Sequence, residues 1–340
     1  MAHAWRTLAA QASRTTVVLP LTTPRLLFRD MVRCVVKSSK ASQVPDADES
    51  LLPALYIAAD RASLDAQRNT RWRAGTYLGL LVLAAAGGAI DVPIRDDRYN
   101  LGGVVAFGAF LVALLVGLSN VSAATDERWY EGRATAESLK TMAFRFAVRG
   151  DPFQDGDVEC LFLDRLRQVL GRLQHLALPA VDADQVTDEM VRVRQLPLRQ
   201  RQSYYAERRI EQQRQWYVDK SNEHSKSARW LAILAVVATL IGLVFGFLRA
   251  TNEANWDLLG VLAAAAASLR AWSDLRQHRT NASAYSLAAQ ELGIAKAEMR
   301  QLDDVDEARW ARFVSDTEDA ISREHVMWLA RRSKVVGSKA

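Results

Sequence analysis

Four stretches of this chain lose their charge altogether. Ala74–Ile90 runs 17 residues without a charged side chain, Leu101–Thr125 runs 25, Trp230–Leu248 runs 19 and Leu258–Leu269 runs 12. A membrane-crossing helix needs about 20 apolar residues, whereas a run of ~10–14 more often marks a buried core helix. Two runs meet the length and the first sits at its lower edge. The alanine-rich fourth, within "NWDLLGVLAAAAASLRAW" (Asn255–Trp272), falls short.

The polar segments between the runs decide how to pair them. Asp91–Asn100 and Arg249–Asp257 are short, so the runs form two hairpins. Of 44 Lys and Arg, 11 lie in residues 1–73, 2 in 91–100, 18 in 126–229, 1 in 249–257 and 12 in 270–340. Basic flanks stay on the cytoplasmic side of a bilayer. This pattern predicts the N-terminus, the middle region and the C-terminus inside, with both short connections outside. Were the fourth run not to cross, its basic downstream segment would lie outside. Trp256 and Trp272 stand 16 residues apart, about 24 Å along a helix, at a spacing that suits two membrane interfaces once the bilayer thins locally. The fold expected is therefore an all-α membrane protein: two transmembrane helical hairpins, four spans, and amphipathic cytosolic helices. The spans are placed at about 74–94, 101–125, 230–248 and 254–272.

Apolar positions three and four apart mark the cytosolic helices. After the second span, Trp129, Ala136, Leu139, Ala143 and Phe146 share a face. After the fourth, Tyr285, Ala288, Leu292, Ala295, Met299 and Leu302 form a heptad stripe. Val158–Leu178 predicts a helix with Leu163, Leu166, Leu170 and Leu173 on one side, and Pro179–Pro197 reads as a linker. A last helix, about Val305–Arg332, aligns Trp310, Val314, Thr317, Ile321 and Trp328. Laying Arg133 ("RATAESL") over Arg279 ("RTNASAY") suggests an internal repeat. The halves share one plan: a polar helix entering the membrane, a hairpin, and a helix leaving it.

The domains follow. Residues 1–50 are a basic arm expected to be disordered, 51–153 a first unit, 154–199 a helix and linker, 200–332 a second unit, and 333–340 a basic tail. Pro20, Pro24 and Arg25 break the apolar stretch near the start, which argues against a signal peptide. The cytosolic helices are expected to pack together as a stalk or cap. Gly75 and Gly79, and Gly242 and Gly246, are four apart, a spacing that lets helices approach closely. They serve oligomerisation, or simply reflect how common glycine is in spans.

Net charge is +5. No interleaving of aromatic and basic residues points to nucleic acid, and the basic excess reads as cytoplasmic flanks beside a lipid bilayer. Cys34 and Cys160 lack metal or redox spacing. No phosphate-cradling glycine loop, zinc spacing or nucleophile elbow occurs. No catalytic, cofactor or metal site is therefore expected, and no enzyme. His325 falls on the packing stripe of the last helix, and Asp303, Asp304, Asp306 and Glu307 read as its acidic start. Ser119, Asn120, Ser122 and Ser268 are candidates for a polar pore lining, or for hydrogen bonds between helices. In "YYAERRIEQQRQWYVDKS", Tyr204, Arg208, Gln212, Trp216 and Lys220 stand four apart and form one helix column. It either docks against the last helix or stiffens the approach to the third span.

"RIEQQRQWYVDKS", the hairpin after it and "EDAISREHVMWLARR" resemble the SMODS- and SLOG-associating two-transmembrane effector (SLATT) domains. The resemblance rests on Arg209, Gln212, Trp216, Tyr217, Lys220, Glu318, Glu324, His325 and Trp328, and about Leu51–Phe153 looks like a second, more divergent unit in tandem. It implies a membrane pore in a bacterial conflict system. The chain holds neither a nucleotide second-messenger synthase nor a SLOG-type sensor, so either would be a separate partner. The function expected is a homo-oligomeric inner-membrane effector. Its pore would answer to cytosolic coupling residues: Arg208, Arg209, Gln212, Trp216, Tyr217, Lys220, Glu318, Glu324, His325 and Trp328. The alternative is a non-conducting membrane-anchored scaffold or sensor.

Overall fold

The computed structural model describes residues 49–94, 99–119, 124–173, 176–251, 258–302 and 306–337, those after Ser322 by backbone alone. The basic arm, Cys34, and Asp303 and Asp304 lie outside the described residues.

Helix α1, Ala54–Gly88, is 35 residues long. Pro53 precedes it in an extended conformation and offers no side-chain cap. Its first N–H groups are met by the distant linker instead: Ala54 N donates to Asp184 O at 3.0 Å and Leu55 N to Gln185 Oε1 at 3.2 Å. At ~1.5 Å per residue α1 spans about 52 Å, well beyond a ~30 Å hydrocarbon core. Its two halves differ accordingly. Leu55, Tyr56, Ala58, Ala59 and Ser63 are buried in the protein, whereas Leu83 is exposed.

Two-residue strands β1 (Pro93–Ile94) and β2 (Tyr99–Asn100) close the first hairpin. Helix α2 follows, Leu101–Ser119, its start capped by Asn100 Oδ1 accepting from Gly103 N at 3.0 Å. Gly87 and Gly102 are required at the hairpin tip. A Cβ on Gly102 would stand 2.0 Å from Ile90 O, and one on Gly87 would stand 2.8 Å from Gly102 O. Helix α3, Ala124–Ala147, returns along α1.

Helix α4, Val158–Arg172, and the seven-residue α5, Asp188–Arg194, come next, their N-termini capped by Asp157 and Thr187. The segment read as a linker therefore contains a helix, and Met190 and Val193 of that helix are fully buried. The buried face of α4 also differs from expectation. Phe162, Leu166 and Leu173 are buried while Leu170 is exposed, because Phe162 joins Phe146 and Phe153 in an aromatic cluster with centroids 4.7–5.9 Å apart.

The second half repeats the plan. Helix α6, Leu198–Tyr205, passes through a π-helical segment, Ala206–Glu211, into α7, Gln212–Ala250. Helix α8, Leu259–Arg276, turns at Gln277 (φ 47°, ψ 40°) into α9, His278–Met299. Helix α10, Glu307–Gly337, closes the chain, its start capped by Asp306 Oδ1 accepting from Arg309 N at 2.8 Å.

Helix α1 packs on α2 and α3 as α7 packs on α8 and α9, and α8 joins the hairpins by also packing on α1. One contact recurs in both halves. Ser63 Oγ of α1 donates to Trp129 O of α3 at 3.2 Å, and Ser221 Oγ of α7 donates to Ala282 O of α9 at 2.8 Å. Each half thus ties the helix that enters its hairpin to the helix that leaves it by a serine-to-carbonyl hydrogen bond.

Among the described residues, two helices are long and apolar enough to cross a membrane: α2, through Leu101–Leu118, and the continuous helix that ends in α7. A soluble core helix of that kind would be mostly buried; here 17% and 11% of the apolar windows are. The other two expected spans do not meet the same measure. The apolar half of α1 begins at Ala74 and ends with the helix at Gly88, and α8 runs into Arg270, Asp274 and Arg276.

Candidate functional site: a buried ion network between the polar helices

The expected stripes of α3 and α10 meet. Ala136, Leu139, Ala143 and Phe146 are buried against a core that includes Trp310, Val314 and Ile321. Charged side chains share those faces. The column Arg201, Tyr205, Arg209, Gln213, Tyr217, four apart along α6 and α7, is buried throughout. It lies one residue along from the column the sequence suggested. Arg208, Gln212, Trp216 and Lys220 are half-buried beside it, with Trp216 on Tyr285 (5.5 Å between centroids) and Lys220 paired to Glu223 at 2.8 Å.

The centre is Arg209, 1% exposed, on Glu318, 0% exposed. Arg209 Nε donates to Glu318 Oε1 at 2.7 Å and Nη2 to Oε2 at 2.6 Å, a bidentate fork. Tyr205 OH also donates to Glu318 Oε1, at 3.0 Å, and Arg209 Nη2 reaches Thr141 Oγ1 at 3.3 Å. The guanidinium lies 5.0 Å over the Phe144 ring. Burial works against its charge, but the charge and hydrogen bonds of Glu318 outweigh that and raise its pKa. Burial, with Glu318 alongside, holds the Tyr205 phenol protonated far above its ordinary range. Arg209 sits in the π-helical segment, a local widening that is frequent at functional positions.

The network continues through α3. Lys140, 1% exposed, donates to Gln213 Oε1 at 3.3 Å. Burial, and the nearby Arg209 charge, pull its pKa down to about 7. Arg133 bridges Glu137 at 2.6 Å and Asp60 of α1 at 3.3 Å. On the far side Arg145 of α3 pairs with Asp319 of α10 at 2.6 Å. The carbonyls ending α3 take donors from three elements. Arg194 donates to Phe146 O at 2.8 Å, while Arg201 and Trp310 Nε1 donate to Val148 O at 3.0 and 2.8 Å. Helix ends leave such carbonyls unpaired, and cations suit them. Arg201 also pairs with Glu307 at the start of α10.

A second cluster lies where the apolar segments begin. His224 of α7 and His278 of α9 stand with Nδ1 atoms 3.1 Å apart. Burial, then neighbouring positive charge, lowers both imidazoles to about 4. One nitrogen must carry a proton and the other must accept it, so the contact fits a neutral pair. Arg71 of α1 and Arg276 of α8 share this level, and Trp272 of α8 lies 3.6 Å from where a Gly75 side chain would begin. Gly117 of α2 meets Tyr77 of α1 at the same end. Residues of α1, α7, α8 and α9 thus come together at this level.

Gly242 and Gly246 face Leu259 and Leu262 of α8, while among the described residues nothing lies within 4 Å of where a Gly79 side chain would begin. Ser268 is half-buried on α8, and Ser119 ends α2. Asn120 and Ser122 lie outside the described residues. Glu324, His325 and Trp328 belong to α10, where the backbone alone is described.

Two family models match, and they meet at the column that holds Arg201, Tyr205 and Arg209. Residues 53–202 match SMODS and SLOG-associating 2TM effector domain 3, and residues 205–328 match SMODS and SLOG-associating 2TM effector domain 1. The chain is a tandem of two SLATT units. No curated protein and no solved structure matches it. The ion network is the joint between the units: Lys140 on Gln213, Thr141 on Arg209 and Arg145 on Asp319 each cross from the first to the second. Sequence reading singled out Arg209 and Glu318 but missed Asp60, Arg133, Glu137, Lys140 and Arg201. The signal was there: Arg133, Glu137 and Lys140 fall at helical spacing among the apolar positions of α3.

Proposed function

We propose that this chain is a bacterial inner-membrane effector of a conflict or abortive-infection system, which oligomerises and opens a pore when its cytosolic helices rearrange. It crosses the bilayer four times, with both termini cytoplasmic. The observation that carries this reading is the position of Arg209. It is locked to Glu318 of α10 in the same unbroken helix that runs on into the apolar stretch of α7. A partner that pulled α10 away would strand a buried charge on that helix, which costs about 3–5 kcal/mol. The helix would have to turn or slide to hydrate it, and its membrane half would move with it.

Other features support the reading. The cluster of Arg71, Gly75, His224, Trp272 and His278 fits four apolar segments leaving one cytosolic body on the same side. Exposed Val104, Phe107, Leu114, Val236, Leu240 and Phe247 suit lipid, since a soluble surface rarely carries so large an apolar patch. The trigger would come from a separate nucleotide second-messenger synthase or SLOG-type sensor, the partners that the family's description names. A pore lined by Ser119, Asn120, Ser122 and Ser268 would form between copies. The test is membrane potential in cells expressing the chain with and without its genomic partner. Depolarisation on triggering is expected. A steady potential and unaffected growth under every trigger would refute the pore.

A further inference from the structure

We propose that the groove between α7 and the start of α9 is a binding site for an anionic phospholipid, with phosphatidylglycerol the class it fits. The proposal rests on the membrane reading above. The groove is an open one of about 600 Å³ that changes character along its length. At one end it is lined by Arg229, Arg279, Ser225 and Ser283; toward the apolar run of α7 it is walled by Ile233 and Val236. Arg229 is the last charged residue before the uncharged run Trp230–Leu248, and Arg279 follows the turn at Gln277 that starts α9. Both arginines therefore stand at the cytosolic level, above a slot that opens along the apolar helix.

That arrangement matches a lipid end to end. The two guanidinium groups and two hydroxyls suit a phosphodiester, which accepts from arginine in a forked, charge-assisted geometry. Ile233 and Val236, 43% and 53% exposed, offer a bed for an acyl chain. No ion pair occupies Arg229 or Arg279 among the described residues, so both charges are available. The groove floor is fixed: Ser221 ties α7 to Ala282 at 2.8 Å, and Ala282 and Ala228 are buried. A free phosphate would use the arginines alone and leave the apolar slot empty, so the continuous polar-to-apolar surface favours the lipid. A zwitterionic headgroup would bring its own cation against two arginines.

The test is native mass spectrometry of the full chain, released from the membrane fraction into detergent and titrated with phosphatidylglycerol or phosphatidylcholine. Wild type is expected to retain phosphatidylglycerol preferentially. The double variant Arg229→Gln with Arg279→Gln is expected to lose that preference by roughly tenfold to thirtyfold, at ~1 kcal/mol per basic residue near a lipid surface. Ser283→Trp, which keeps both arginines and crowds the polar end where the headgroup would sit, is expected to weaken binding as well. Equal retention of the two lipids, unchanged binding in the double variant, or full displacement by inorganic phosphate would overturn the site. Failure of the chain to sediment with membranes would overturn the membrane reading itself, a distinct result.

Discussion

Arg209 holds both carboxylate oxygens of Glu318, at 2.7 and 2.6 Å, across 109 residues of chain and with neither side chain in contact with water. Removing one partner leaves the other buried and unpaired. Arg209→Met and Glu318→Met are each expected to destabilise the folded chain by about 3–5 kcal/mol, and the double variant by much less than the sum. Denaturant unfolding of the purified chain in detergent checks this. Additive losses would show that the pair is not a coupled unit.

Lys140 makes stability depend on pH in the alkaline range. Its folded pKa is lowered to about 7 by burial, against an ordinary value of 10.5. Between these values the unfolded chain binds the proton and the folded chain does not, so stability rises with pH from about 7 to 10.5 and is flat below 7. Lys140→Met is expected to abolish that rise and to raise Tm at neutral pH. Thermal melts at stepped pH measure both effects.

His224 and His278 act at the acid end. Both are lowered to about 4 from 6.5. The unfolded chain binds the protons first, so stability is lost as pH falls from 6.5 toward 4. The groups facing the pair add to the effect: Arg71 from α1, Arg276 from α8, and Lys220 against Glu223 on α7 itself. A His224→Gln, His278→Gln double variant is expected to flatten that window. An unchanged acid limb of the Tm profile would contradict the neutral pair.

The glycines divide by what their side chain would meet. Gly102→Ala places a Cβ 2.0 Å from Ile90 O and is expected to prevent the first hairpin from closing, whereas Gly79→Ala meets nothing within 4 Å among the described residues. The yield of folded, membrane-extracted protein by size-exclusion chromatography should fall sharply for the first and stay at the wild-type level for the second.

Much of the body formed by the polar helices was legible because its stripes are apolar. Leu139, Ala143 and Phe146, or Trp310, Val314 and Ile321, announce a buried face by spacing alone. Of the ion network only Arg209 and Glu318 were, through the family resemblance. The helical spacing of Arg133, Glu137 and Lys140 among apolar positions was the one signal for the rest. Arg201, Gln213 and Lys140 count as surface residues in a hydropathy pattern. They are buried only because α3, α7 and α10 bring opposite charges to one place. That hid the true column, one residue from the tyrosine–tryptophan column that drew notice. The helix Asp188–Arg194 was missed because seven residues give too few turns to reveal a period, and Leu170 was misassigned because leucine spacing could not anticipate the claim of Phe146 and Phe153 on Phe162. Paired hairpins followed from the two short connections; which side of each apolar run is exposed and which packs on a neighbouring helix did not, because an uncharged run shows no polar face.

The most direct measurement is the sidedness of single cysteines. Cys160 is exposed on α4, and with Cys34→Ser it becomes a natural reporter for the body formed by the polar helices. Asn252→Cys, in a Cys34→Ser, Cys160→Ser background, reports the second short connection. A membrane-impermeant maleimide added to intact spheroplasts is expected to label Asn252→Cys at once and Cys160 only after permeabilisation. Labelling of Cys160 in intact spheroplasts, or protection of Asn252→Cys until they are opened, would contradict a one-sided cytosolic body carrying two membrane hairpins.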